Sequence, residues 1–126
     1  MFKAVLFDLD GTLLDINMDE FLQHYFRQMM RMAREAGYTD TEQLVELVWR
    51  STWAMIADRN PQLLNEEVFM EHFYRHWPVP REEFDLFFER FYAEGFPRLK
   101  QYTRPFPGIP EMMEQLFARG MKVVIA

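Results

Sequence analysis

Two short strand-like runs, separated by a long segment of helical periodicity, most constrain how this chain can fold. Residues 3–7 (KAVLF) and 122–126 (KVVIA) are short and almost continuously apolar. Such runs are typical of strands buried on both faces of a parallel sheet. Two parallel strands normally need only one crossover helix. The longer helical segment therefore predicts a second domain, inserted into the connection between the strands.

Helix signals punctuate the middle of the chain at regular intervals. Asn17 and Glu20 have the spacing of a capping box, and Pro78 and Gly95 are suitable points for a helix to end. We predict helices over residues 17–37, 40–58, 65–77 and 80–95. A further helix is expected to begin at Pro110 and to end at Gly120, before the second strand.

Composition limits the classes of function. The 126 residues include 14 Lys and Arg and 20 Asp and Glu, a formal charge of −6 that argues against binding to nucleic acid. The absence of cysteine excludes disulfides, thiol nucleophiles and Cys-based metal sites. No signal peptide core or membrane-spanning stretch is visible in the sequence, so we expect a cytoplasmic protein without membrane association.

Two aspartates follow the first strand directly, in the stretch LFDLDGTLLD (residues 6–15). The carboxyl ends of strands in open parallel sheets border the crevice where ligands bind. Asp8 and Asp10 are two residues apart, so they can divide the roles of nucleophile and acid/base, and their hard oxygen donors suit Mg²⁺. Gly11 allows a sharp turn, and Thr12 can hold the loop by a hydrogen bond.

This stretch resembles the first motif of the haloacid dehalogenase-like phosphohydrolases. The resemblance implies a Rossmann-like parallel sheet core at residues 1–14 and 104–126, with an all-helical cap domain inserted at residues 15–103. The α/β fold class follows from the same arrangement. Only the regions around residues 3–15 and 104–126 carry the motif similarity, and the middle matches by position and helical content.

The resemblance also implies a mechanism and a set of site residues. Asp8 would attack phosphorus to form an aspartyl-phosphate, and Asp10 would serve as acid and then as base. Asp8 and Asp10 would hold Mg²⁺, while Leu9, Asp10 and Thr12 would bind the substrate phosphate. The substrate would be a small phosphate ester, and the enzyme a phosphatase.

Other functions stay open at this point. Within the family, a phosphomutase or a haloacid dehalogenase is possible, although the dehalogenases lack an acid at the position of Asp10. Outside enzymes, the helical segment could be a non-catalytic interaction module. A calcium-binding EF-hand is disfavoured because its glycine stands at the sixth loop position and a helix precedes the loop. The sequence does not indicate an oligomeric state.

Several other residue sets have a structural and a functional interpretation. We favour a core role over a substrate pocket for the tryptophans and the helical phenylalanines, and a solvated face over a phosphate-binding strip for three arginines. His72 and His76 share a helical face but lack a third zinc ligand. The sets are Phe84, Phe87, Phe88 and Phe91; Trp49, Trp53 and Trp77; and Arg27, Arg31 and Arg34.

The family mechanism requires more than this stretch supplies. A Ser or Thr after the second strand, a Lys and an acidic pair have no candidates among the 126 residues. Two strands and one returning helix would also leave apolar sheet surface uncovered. We therefore expect these residues to be the N-terminal part of a longer enzyme.

Overall fold

A computed structural model describes all residues from Met1 to Ala126, and the chain divides into two compact units. The first, here called the α/β unit, comprises Met1–His24 and Arg98–Ala126. The second, the helical unit, comprises Tyr25–Pro97. The α/β unit contains a small parallel sheet and the helical unit contains no strand, so the predicted α/β fold class is confirmed.

The parallel sheet has two strands. Strand β1 (Ala4–Phe7) pairs with β4 (Lys122–Ile125) in a register that places Ala4 opposite Lys122 and Phe7 opposite Ile125. Helix α5 (Ile109–Ala118) precedes β4 and begins within one residue of the predicted Pro110. The sequence prediction of two parallel strands from the apolar runs is confirmed.

A second sheet in the α/β unit was not predicted from the sequence. Strand β2 (Leu14–Ile16) pairs antiparallel with β3 (Thr103–Pro105). Asp15 lies opposite Arg104, and the Arg104 Nε donates to Asp15 Oδ2 at 3.0 Å. Strands of three residues are too short to show a two-residue alternation, so only the pairing across the fold defines them.

Four helices follow β2 close to their predicted positions. The side chain of Asn17 caps the first helix by accepting a hydrogen bond from the Glu20 amide at 3.2 Å. None of the helices combines the length and apolar character that crossing a bilayer requires. The helices are α1 (Met18–Glu35), α2 (Thr41–Ala57), α3 (Asn65–His76) and α4 (Arg81–Arg90).

The predicted end of the fourth helix at Gly95 is wrong. Helix α4 continues as a π-helical turn (Phe91–Gly95) and then as a 3₁₀ helix (Phe96–Tyr102). Gly95 is buried, and a Cβ atom placed on it would overlap the sulfur of Met32. The glycine therefore permits close packing of the backbone against Met32, and this is a different role from ending a helix.

Phenylalanine side chains form the centre of the helical unit. Phe73, Phe84 and Phe91 are fully buried, and Phe87 and Phe88 are almost so. Phe84 lies against Phe73 with ring centroids 5.7 Å apart. Trp77 joins the same cluster. The preference for a core role is confirmed for the four phenylalanines of residues 84–91 and for Trp77.

The same prediction is wrong for two tryptophans on α2. Trp53 is 62% exposed and Trp49 is 36% exposed. The buried face of α2 is formed by Leu44, Leu47, Val48 and Ser51. At about 100° per residue, positions 49 and 53 lie on the opposite side of α2 from this row. Trp53 is therefore turned towards solvent, whereas the Trp49 ring is partly covered by Phe26, with ring centroids 5.3 Å apart.

The three arginines of α1 are exposed, as the solvated-face interpretation requires. Arg31 forms an ion pair with Glu35 at 2.7 Å, one turn further along the helix. Pairs of this kind contribute only a few tenths of a kcal/mol, about 0.3 to 0.5. The arginine row is therefore a solvated helix surface.

Replacing Phe84 by Ala is expected to destabilise the protein by about 3 to 5 kcal/mol, because a fully buried ring leaves a cavity. Leu86→Ala, two residues away on the same helix, serves as the control. Leu86 is 65% exposed, so its loss should change stability by no more than about 0.5 kcal/mol. Urea unfolding followed by circular dichroism measures both. Equal effects of the two substitutions would contradict the assigned core.

A histidine at the α2–α3 packing surface connects stability to pH. Ser51, which is fully buried, and His72 Nδ1 are hydrogen-bonded at 3.0 Å. Partial burial, and then the nearby His76, Arg50 and Arg75, lower the pKa of His72 below its usual value. The unfolded chain therefore takes up a proton at His72 at a higher pH than the folded chain does.

Stability should consequently fall as the pH drops below about 6.5, the ordinary pKa of histidine. His72→Gln removes this ionisation and keeps a polar side chain near Ser51. We expect the variant to lose less stability than the wild type between neutral pH and mildly acidic pH. Urea unfolding at several pH values measures the slopes. Identical slopes for the two proteins would show that His72 does not contribute.

Candidate active site

The loop after β1 is built around one backbone carbonyl. The oxygen of Leu9 accepts hydrogen bonds from the amides of Thr12, Leu13 and Leu14 at 3.2, 2.9 and 3.0 Å. The Gly11 amide donates to the Leu14 oxygen at 2.9 Å. Gly11 has φ of 76°, a left-handed conformation that residues with a Cβ adopt only with strain. These bonds turn the chain sharply straight after the two aspartates.

Asp8 is the first residue after β1, at the carboxyl end of the parallel sheet. The Thr12 hydroxyl donates to Asp8 Oδ2 at 2.8 Å. Oδ1 has no hydrogen bond within the chain, and the side chain is exposed. One carboxylate oxygen is thus held by the loop, while the other is accessible to a ligand.

Asp10 lies on the same loop. Its side chain is exposed and makes no hydrogen bond or ion pair within the chain. The structure therefore places both predicted carboxylates on one short solvent-facing segment, between β1 and the turn at Gly11.

The predicted phosphate-binding groups lie in this segment too. The amides of Leu9 and Asp10 donate to no backbone carbonyl. Thr12 differs from them, because its hydroxyl donates to Asp8. The structure thus gives Thr12 the loop-holding role that its position suggested.

The loop is anchored to the second sheet by contacts that sequence reasoning missed. Leu13 is buried, and its carbonyl oxygen accepts a hydrogen bond from the Phe106 amide at 3.1 Å. Two residues after Leu13, Asp15 forms an exposed ion pair with Arg104 across the same sheet. The sequence contained one indication of this contact, because Asp15 and Arg104 carry opposite charges and stand at the two ends of the predicted inserted segment.

Donor chemistry in the loop fits a divalent cation such as Mg²⁺. The free Asp8 oxygen and the Asp10 carbonyl, which accepts no backbone hydrogen bond, are both hard oxygen donors. Magnesium usually keeps several waters and takes only one or two carboxylates from the protein. No group of three or more His, Cys, Asp or Glu residues that could hold a metal ion is present. The loop could therefore supply part of a magnesium site.

Comparison with known proteins identifies a family. The sequence model of the haloacid dehalogenase-like hydrolase family matches residues 2–126. No curated protein and no solved structure matches this chain.

Gly11→Ala should loosen the loop, because a Cβ at this positive φ costs about 1 to 2 kcal/mol. We expect faster hydrogen exchange at the amides of Thr12, Leu13 and Leu14, with exchange in α2 unchanged. Gly11→Asn is the matched control, since asparagine tolerates the left-handed conformation better and should give a smaller increase. Unchanged exchange at these amides in Gly11→Ala would contradict the strained-turn assignment.

Proposed function

Since the chain belongs to the haloacid dehalogenase-like hydrolases, we propose that its reaction is the Mg²⁺-dependent hydrolysis of a small phosphate ester. The observation that carries the proposal is the pair of exposed aspartates on the loop after β1, of which Asp8 has one oxygen held by Thr12 and one free. Hydrolases of this superfamily act on small molecules, and a phosphate ester is the substrate that we propose here.

Asp8 is the proposed nucleophile. Its Oδ1 attacks phosphorus while the bond from phosphorus to the leaving oxygen breaks, which gives an aspartyl-phosphate and an alcohol. The hydrogen bond from the Thr12 hydroxyl to Oδ2 holds the Asp8 carboxylate in one orientation. The reaction therefore does not have to pay the entropy of orienting the nucleophile. The position at the carboxyl end of β1 supports this role, because ligands of parallel sheets bind there.

Asp10 is the proposed acid and base. Its protonated carboxyl donates a proton to the leaving oxygen in the first step. The resulting carboxylate then takes a proton from a water molecule, whose oxygen attacks phosphorus and releases Asp8 and inorganic phosphate. An acid at position 10 also favours phosphoryl transfer over dehalogenation, since the family's dehalogenases lack it.

Backbone amides are the proposed cradle for the transferring group. The amides of Leu9 and Asp10 have no carbonyl partner in the chain, so they can donate to phosphate oxygens. Both donors of Thr12 are engaged within the chain, the amide with the Leu9 oxygen and the hydroxyl with Asp8, so Thr12 would bind the phosphate only if its hydroxyl turned away from Asp8. Amides held in a fixed loop favour the charge that develops in the transition state.

Asp8 and Asp10 are the residues that would hold Mg²⁺, through the Asp8 carboxylate and the Asp10 carbonyl. When bound, the ion offsets the negative charge that otherwise repels an anionic substrate from two carboxylates.

We further propose that residues 15–103 act as the cap that selects the substrate, with residues 1–14 and 104–126 as the catalytic core. The antiparallel pairing of β2 with β3 brings the two ends of this segment together, with Asp15 opposite Arg104 and Ile16 opposite Thr103, and the compact helical unit Tyr25–Pro97 lies within these limits.

The test is hydrolysis of p-nitrophenyl phosphate with Mg²⁺ by the longest natural chain that contains these residues. Asp8→Asn should lower the rate by at least about a thousandfold, because the amide is a very poor nucleophile. Asp10→Asn should lower it by about a hundredfold or more through loss of the acid and base. Removal of Mg²⁺ with a chelator should abolish turnover.

Asp19→Asn is the matched control for the loss of one negative charge. Asp19 is exposed in the first turn of α1 and has no role in the proposed site. Its variant should hydrolyse the ester near the wild-type rate. Equal rates for Asp8→Asn and Asp19→Asn would eliminate Asp8 as the nucleophile.

A further inference from the structure

The helical unit contains a cavity lined by none of the proposed catalytic residues. Its volume is about 430 Å³, within the range of small-molecule sites. Aromatic and methionine side chains from all four helices and the π-helical turn form most of its wall. Lining residues include Tyr25, Met55, Phe69, Met70, Phe88 and Tyr92.

A second cavity of about 360 Å³ adjoins the first and shares four of its lining residues. The shared residues are Glu66, Met70, Phe88 and Tyr92. The two cavities therefore have part of one wall in common, which includes the buried Phe88 and the half-exposed Tyr92.

The charge around these cavities is negative. Glu66 lines both and Glu89 lines the second, and neither carboxylate has a hydrogen bond or ion pair within the chain. The only cation in the lining is Arg81, whose guanidinium is paired with Asp85 at 3.1 Å. Two carboxylates thus remain without a positive partner beside an aromatic wall.

The tyrosine at the aromatic wall of the first cavity is uncharged. The hydroxyls of Tyr25 and Tyr92 are hydrogen-bonded at 2.9 Å. Burial, and then the neighbouring Tyr92, raise the pKa of Tyr25 above its usual range. The phenol therefore stays protonated, and its ring face attracts positive charge through its quadrupole.

We propose that this double cavity of the helical unit binds an organic cation, a substituted ammonium that carries an apolar group. The aromatic faces and methionines would contact the apolar body and the charged head, and Glu66 and Glu89 would neutralise the charge. An anionic ligand is disfavoured by the unpaired carboxylates. Residues 25–97 alone line both cavities, and none of them belongs to the proposed catalytic loop.

Three probes that share a phenyl ring test the charge preference: benzyltrimethylammonium, benzyl alcohol and benzoate. Binding of each probe to the full, ¹⁵N-labelled chain is measured by titration, followed in ¹H–¹⁵N correlation NMR spectra. We expect the cation to bind about tenfold more tightly than the alcohol, with shifts at Phe69, Met70 and Tyr92, and benzoate to be the weakest. Equal affinities of the three probes, or no binding of the cation up to about 10 mM, would overturn the proposal.

Matched variants test whether the Glu66 carboxylate and the Tyr92 ring contact the cation, as distinct from effects of net charge or of folding. Glu66→Gln should weaken binding of the cation several-fold, while Glu46→Gln, which removes an equal charge from an exposed site on α2 outside the cavities, should not. Tyr92→Leu should weaken binding, and Tyr92→Phe, which keeps the ring, should retain most of it. Tyr92 is half exposed, so both variants should fold. Equal losses within either pair would overturn the assignment of the cation to this wall.

Discussion

The parallel pairing of β1 with β4 is the constraint on which the α/β unit depends. Parallel strands run in the same direction, so the chain must leave at the carboxyl end of β1 and return to the amino end of β4. Asp8 and Asp10 stand where the chain leaves. The antiparallel pairing of β2 with β3 joins the outgoing and returning segments, and the Asp15–Arg104 ion pair lies across it. Because that pair is exposed, the backbone hydrogen bonds and the buried Leu13 contribute more to the anchor than the charges do.

Stability and chemistry are separated along the chain. The large apolar cluster belongs to the helical unit, where buried phenylalanines and methionines pack together. The loop with the aspartates has few buried side chains and is shaped mainly by the three amides that converge on the Leu9 carbonyl. A rigid loop of this kind orders carboxylates without burying them, so they keep access to a phosphate and to a cation. Changes to the helical core should therefore alter stability without altering the nucleophile itself.

Sequence periodicity predicted the helices and both parallel strands well, because each of these elements carries its own local pattern. The apolar runs at residues 4–7 and 122–125 and the capping side chain of Asn17 are examples. Predictions failed where a residue's role depends on what packs against it. Gly95 was predicted to end a helix, but its lack of a side chain instead allows the backbone to pack closely against Met32. Trp53 was predicted to be a core residue, but it lies outside the buried row of α2 and is exposed. Helical spacing places Trp49 and Trp53 opposite the row that contains Leu44, so the hydrophobicity of the indole ring was a misleading signal at these two positions.

The sequence by itself determined the kinds of groups at the candidate site: two carboxylates, a glycine and a hydroxyl immediately after a strand, in an order that resembles a known motif. Only the tertiary structure decided how they are held. In the folded chain the Thr12 hydroxyl donates a hydrogen bond to one oxygen of Asp8, and the other oxygen is free. Asp15 is paired with Arg104 across a sheet that no local sequence pattern indicates. The physical reason is that carboxylate and hydroxyl chemistry resides in single residues, whereas hydrogen-bond partners, strand register and cavities arise between residues that are far apart in the chain.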